Sequence, residues 1–277
     1  RHANVLDAVA GQEDIAGSFG WCMFDYNTHK DFGSGDRICY HGVLDMFRNP
    51  KPAAAVYASQ EDRNPVLELS STMDIGEHPA CNRGDTYLIS NADSVRMYKN
   101  NILIKEYKQS DSKYQNLKHG PILINDYVGD AIAKEEGYSK RQAKIVKDCM
   151  NHVAMHGMQI TPKLVWNAFQ LICIYHMNPN DAVGLYNKYV GDWGGESKQY
   201  RFDAIKDGKV GRSLIKTPMK KASLAVSLSA TTLVEDITYD VIEARVRAVD
   251  EYGNQLYYMQ ESLSVTISGP VELIGPN

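Results

Sequence analysis

Ala3, Val5, Leu6 and Val9 recur at helical spacing until Gly11, which predicts a helix at the start of the sequence. From Ile15 to Phe24 the chain is almost continuously apolar, with small residues among the large ones. That pattern predicts a strand buried on both faces, as parallel sheets and barrels have. It turns polar at Asp25-Tyr26-Asn27-Thr28-His29-Lys30-Asp31 and passes through a Gly33-Ser34-Gly35-Asp36 loop. Asn49-Pro50 then supplies a cap and a first-turn proline for a helix through Ala53, Ala54, Val56 and Tyr57. The first sixty residues therefore read as a β/α repeat unit.

From about Pro65 the period shortens. Val66–Leu69, Thr86–Ser90, Ser94–Tyr98 and Ile102–Ile104 are predicted strands, and Asn100-Asn101 is hairpin chemistry because Asn tolerates positive φ. Strands at this spacing point to a β-sandwich of immunoglobulin type. The pattern becomes helical between about Asn125 and Val190. Ser139–Gln142 forms a capping box, Thr161-Pro162 caps a second helix, and Asn180-Asp181 starts a third. Strands return at Gln199–Ile205, followed by a Lys206-Asp207-Gly208-Lys209 turn. Two late strands complete a sandwich begun by four, so the helices are expected to be an insertion into one sandwich. A further set runs from Ala222: Leu224–Leu228, Val241–Val249 and Leu263–Ile267. In its middle member Ile242, Ala244, Val246 and Ala248 alternate onto one face, expected to point at a core. Too few strands follow to close this second sandwich.

The reading is a multidomain α and β chain. Residues 63–124 and 191–219 are two parts of an immunoglobulin-like β-sandwich, 125–190 an inserted helical subdomain, and 220–277 a partial second immunoglobulin-like sandwich. Residues 1–62 stand apart as strand and helices. The abrupt ends, Arg1 already in helical period and Asn277 just after Pro270–Ile274, carry the expectation of a piece from a longer chain.

Composition narrows the classes. The 277 residues hold 43% hydrophobic and 23% charged side chains, near globular averages, which excludes a disordered or fibrous chain. No apolar run approaches the about 18 residues of a membrane span. A net charge of −4 lacks the basic footprint of a general nucleic-acid binder. Five cysteines without a C-x-x-C pair read as free thiols, which favours a reducing, cytoplasmic setting.

Several motifs carry no function. His152 and His156 have the i, i+4 spacing of a zinc helix, but Val153 stands where a general-base Glu is needed. Gly33-Ser34-Gly35 lacks the G-K-[ST] of a phosphate loop, and Lys140–Lys147 reads as a solvated face. The polar end of the apolar run is different. Trp21, Asp25, Tyr26, Asn27, His29, Asp31 and Asp36 gather aromatic and polar groups where a buried strand emerges, and ligand sites of β/α barrels lie at that edge. An indole offers an apolar face to a sugar ring, and carboxylates accept from its hydroxyls. The competing reading makes Trp21 core and Asp25 a cap.

Gly17-Ser18-Phe19-Gly20-Trp21-Cys22-Met23-Phe24-Asp25-Tyr26-Asn27 and Gly42-Val43-Leu44-Asp45, with Arg48-Asn49-Pro50-Lys51-Pro52-Ala53, resemble the C-terminal portion of a family 2 glycoside hydrolase of the β-galactosidase kind. The resemblance implies that residues 1–62 are the last strand and helices of a catalytic (β/α)8 barrel, and that Ser90–Lys105 and Ala222–Ile274 belong to immunoglobulin-like domains. It does not extend to the helical block. It implies a retaining mechanism with two glutamates, both on earlier barrel strands and neither present here. Glu13, the only glutamate of residues 1–60, sits at the wrong end of the last strand. The chain is thus expected to be inactive alone. Trp21 matches a tryptophan that walls the sugar subsite, and Asp25 supports it; His29 and Asp36 rest on chemistry only. Where some members carry a cation-holding Asn this chain has His41, so no metal is expected, and no cofactor. The expected partner is a carbohydrate, a β-galactoside or related glycan, with no nucleic acid and no membrane; a homo-oligomer of the parent is compatible with the reading. The rival readings are a non-catalytic module for glycan binding or oligomer contacts, and a helical block whose Tyr175, Tyr186, Tyr189 and Trp193 face a partner instead of a core.

Overall fold

A computed structural model describes residues 1–29, 37–79, 83–191, 198–259 and 261–275. Contacts divide the chain into two units, Arg1–Met219 and Lys220–Asn277. Antiparallel sheets dominate, with helices between them.

The first unit opens with α1 (His2–Ala10), stopped at Gly11. A short strand pair follows, β1 (Tyr26–Asn27) with β2 (Ile38–Cys39), and then α2 (Pro52–Ala58). Pro52, not Pro50, sits in the first turn of α2. The expected cap Asn49 is used elsewhere: its backbone N–H and Nδ2 donate to the Asp45 carboxylate at 2.8 and 2.9 Å. Ala3 and Val56 meet Ile89, Tyr114 and Leu117 in a small apolar cluster.

Beyond α2 stand two sheets. One has the order β3-β4-β7, from Leu67–Leu69, Tyr87–Ser90 and Ile122–Leu123. The other has the order β6-β5-β8-β9, from β5 (Ser94–Lys99), β6 (Ile102–Lys108), β8 (Tyr200–Lys206) and β9 (Lys209–Lys216). β8 pairs with β5, Ser94 opposite Ile205 and Lys99 opposite Tyr200. The two hairpins turn where the sequence places left-handed residues: Asn100 and Asn101 at φ 46° and 66°, Asp207 and Gly208 at 50° and 74°.

Leu67 and Leu88 of the first sheet and Met97, Tyr200 and Phe202 of the second enter one buried cluster with helix residues. The helices are α3 (Ala131–Glu135), α4 (Lys140–His156), α5 (Pro162–Phe169) and α6 (Asp181–Tyr189). Ser139 Oγ accepts from the Gln142 N–H at 3.3 Å and Thr161 Oγ1 from Leu164 at 3.2 Å, the predicted caps. α5 runs on through a π-turn at Gln170–Ile174. Helix α4 buries Ala143, Val146, Met150 and Ala154, one helical face. Lys147 is only partly solvated: its Nζ lies 2.6 Å from Asp126, whose other oxygen accepts from Val128, Gly129 and Asn151. That clasp ties α4 to the end of β7. Tyr189 is buried, and Tyr175 and Tyr186 pack against the core; Trp193 lies outside the described residues.

The second unit is a two-stranded sheet, β10 (Ser223–Leu228) against β11 (Ala244–Val249). The alternating apolar face expected to be core is not buried. Leu224, Val226 and Leu228 remain 58, 62 and 53% exposed opposite Ala248, Val246 and Ala244. Leu263–Ile267 is not a strand among the described residues. An alternating pattern makes a face; only a second layer buries it.

Candidate functional site

The apolar run before Asp25 does not form the doubly buried strand its composition predicts. Ile15, Phe19, Trp21 and Met23 are exposed, and backbone pairing begins only at Cys22. There Val43 donates to the Cys22 carbonyl, Leu44 to Met23, and Asp25 back to Leu44, at 3.1, 2.9 and 3.0 Å. A single parallel bridge joins Phe24 to Leu44. The physical reason is that a strand is held by neighbours, and residues 15–21 have none among the described residues.

Asp25 is the anchor of this region. It is 5% exposed, and its Oδ1 accepts from the Gly42 N–H at 2.8 Å and from Lys51 Nζ at 2.6 Å. Lys51 also donates to the Tyr40 carbonyl at 3.3 Å. The approach at Gly42 is backbone on backbone. A Cβ there would lie 2.2 Å from Asp25 N, 2.3 Å from Phe24 C and 2.4 Å from Leu44 O, so only glycine fits. Asp25 therefore fastens the loop from Tyr40 to Gly42 to the end of the apolar run. The pair is fixed in geometry because Asp25 is buried and each partner also has a backbone contact.

Two further groups stiffen the same corner. Asp45 accepts from Phe47 and Asn49 N–H, both at 2.8 Å, and closes a turn in which Arg48 sits at φ 69°. The Arg48 guanidinium then lies 3.8 Å over the Phe24 ring, a cation–π contact.

Trp21 is 75% exposed. Its Nε1–H donates to the Tyr26 hydroxyl at 3.3 Å, and the rings meet at 90° with centroids 6.2 Å apart. Tyr26 stands opposite Cys39 in the β1–β2 pair, and Cys39 Sγ lies 3.1 Å from His41 Nδ1. The Cys39 thiol beside it is the chief cause that raises the Tyr26 phenol above its ordinary pKa. Burial, and then the same Cys39, push the Cys22 thiol up.

Of the residues singled out from sequence, Trp21 borders a cavity of about 400 Å³ with Gly20, Val43, Ala54 and Tyr57 on its wall. Asp25 and His29 do not line it. His29 is exposed beyond the end of β1, and Asp31 and Asp36 lie outside the described residues, as does the Gly33-Ser34-Gly35 loop. Tyr26 stands in the aromatic and polar cluster read from sequence but was given no role there, and Lys51 was given none either. The signal for Lys51 was weak, a lysine before a helix. The His152 and His156 rings lie tilted at 58° with centroids 5.1 Å apart, and His152 Nε2 is 2.8 Å from the Gln159 carbonyl. Among the described residues no group of three or more His, Cys, Asp or Glu side chains converges.

No known family profile matches the chain. Over its whole length it is 33% identical to a β-galactosidase of Thermoanaerobacterium thermosulfurigenes and 40% identical to one of Thermoanaerobacter pseudethanolicus. It covers 31% and 30% of those proteins. A β-galactosidase of Rhizobium meliloti is 22% identical and is covered over 29%. Among solved structures, a β-glycosidase from Bacteroides vulgatus is similar with a TM-score of 0.44 at 14% identity, over 84% of this chain and 20% of that one. A β-glucuronidase from glycoside hydrolase family 2 gives 0.42 at 13%, over 85% and 17%. The chain thus spans about a third of the length of the curated relatives it matches.

Proposed function

Because this chain aligns along its whole length with β-galactosidases and resembles the C-terminal portion of a family 2 glycoside hydrolase, we propose that it belongs to a retaining enzyme cleaving terminal β-galactosides or related β-glycosides. The observation that carries this reading is that end-to-end identity.

A retaining glycosidase needs two carboxyl groups about 5–5.5 Å apart, one to protonate the leaving oxygen and one to attack the anomeric carbon. On this reading both are glutamates on barrel strands outside the 277 residues. Glu13 precedes the apolar run, at the end away from Trp21 and Asp25, and replaces neither, so the chain alone does not hydrolyse. Residues 1–62 are the last strand and helices of the barrel. Residues 63–124 and 191–219 form one immunoglobulin-like sandwich, 125–190 is inserted into it, and 220–277 is part of a second. The pairing of β8 with β5 across the helical block supports the insertion.

Trp21 walls the sugar subsite, its exposed indole meeting the C–H face of the ring. Asp25 acts one step behind, by holding the Tyr40–Gly42 loop through Gly42 and Lys51. His29 and Asp36 are assigned polar contacts to hydroxyls on their chemistry alone.

The test compares aryl β-galactoside hydrolysis by the 277-residue chain and by the full-length parent. Activity in the parent alone is the expected result, and activity in the fragment, or in neither, overturns the reading. In the parent, Trp21→Ala is expected to lower kcat/KM about tenfold or more, the equivalent of losing one apolar contact face of about 1.5 kcal/mol or more.

A further inference from the structure

Trp21 is largely exposed, and it rides on a stretch of backbone with no sheet partner before Cys22 among the described residues. An exposed indole on such a segment has several rotamers open to it, and ordering it against a sugar would weaken binding. The ring is nonetheless held. Its single donor, Nε1–H, is committed to the Tyr26 hydroxyl at 3.3 Å, and the two rings meet edge to face. Tyr26 in turn is fixed where Trp21 is not, half-buried in the β1–β2 pair with Cys39 directly opposite. Cys39 is buried and contacts His41. The order of the buried corner thus reaches the exposed indole through one phenol.

We propose that Tyr26 is a positioning residue for the sugar wall, its hydroxyl fixing the Trp21 indole in the orientation that a sugar ring requires. The proposal rests on the reading of Trp21 given above. Tyr26 touches the indole and not the reacting atoms, so its effect falls on binding more than on chemistry. The hydroxyl matters rather than the ring: Tyr26→Phe keeps the edge-to-face contact and removes the oxygen that accepts from Nε1 and also meets the Cys39 thiol, and the Trp21→Ala background separates the two.

The test is a double-mutant cycle in the full-length parent with an aryl β-galactoside: Trp21→Ala, Tyr26→Phe and both together, each confirmed folded by circular dichroism. Tyr26→Phe is expected to raise KM about two- to tenfold, the range of one hydrogen bond, with kcat less affected. In the Trp21→Ala background the same change is expected to add nothing, because there is no indole left to hold. If Trp21→Ala raises KM and Tyr26→Phe does not, the sugar wall stands and the positioning role falls. If the two effects multiply independently, Tyr26 acts by another route and the proposal is again overturned. If Trp21→Ala leaves both constants unchanged, the wall itself is wrong, and the positioning role goes with it.

Discussion

The β5–β8 pair and the β10–β11 pair are built alike. Each is an antiparallel ladder of about six residues with apolar side chains alternating along it. Their fates differ: Met97, Tyr200 and Phe202 are fully buried, while Leu224, Val226 and Leu228 are more than half exposed. The difference lies in the layer behind each. The first pair faces a second sheet and helix α4 within one core; the second has nothing over its apolar face among the described residues of its unit. Patterning chooses which side chains share a face, and tertiary neighbours decide whether that face counts towards stability.

The largest test of this contrast is Phe202→Ala. Removing a fully buried ring from between two layers is expected to destabilise the chain by about 3–5 kcal/mol, measured as a shift of the urea midpoint. A loss below about 1 kcal/mol would mean that the core is not packed as described. Next comes Gly42→Ala, which places a Cβ into the backbone of Phe24, Asp25 and Leu44. Overpacking of this kind costs about 1–3 kcal/mol, and here it is expected to act locally. Limited proteolysis between Trp21 and Leu44 should accelerate, and unchanged cleavage would contradict the close approach.

A smaller effect is electrostatic. Lys118 first, and His119 after it, hold the exposed Asp62 carboxyl at a pKa of about 2. A carboxyl lowered on folding adds stability above its ordinary pKa near 3.8, and that stability is lost as pH falls towards about 2. Asp62→Asn is therefore expected to lower the melting temperature slightly at neutral pH and to flatten its decline below pH 4, with both differences shrinking in high salt. An unaltered acid limb would show that the cluster contributes nothing. The smallest effect expected is that of Val226→Ser on the uncovered face, within about 0.5 kcal/mol in the same urea titration. A loss comparable to that of Phe202→Ala would erase the comparison.

What the sequence made legible follows the same division. The turns at Asn100-Asn101 and Asp207-Gly208 and the caps at Ser139 and Thr161 were readable because each is a property of one or two residues and their own backbone. The run Ile15–Phe24 misled because being a strand is a relation to neighbours. Asn49-Pro50 misled by two residues because Asn49 serves Asp45 instead of the helix. At the candidate site, Trp21, Asp25 and Tyr26 could be named from sequence, but the pairing of Trp21 with Tyr26 and of Asp25 with Gly42 and Lys51 could not. Those pairings span from five to 26 residues of chain, and only the folded backbone brings them together.

The closure of the second sheet also sets an order of events in time. β5 must wait for β8, more than a hundred residues later, before its second edge is paired. At translation rates of about 5–20 residues per second that interval is on the order of ten seconds. During it Ser94–Lys99 has a partner on one side only, through the Asn100-Asn101 hairpin. The helices α4 and α6 emerge in that window, adding their apolar faces to the cover that Leu67, Leu88 and Ile122 of the earlier sheet already offer Val95 and Met97. A growing chain stalled between α6 and β8 would present an open β-edge, the surface on which copies of a chain join into aggregates. The helical block is in this sense a timing device for the sheet as well as a part of its core.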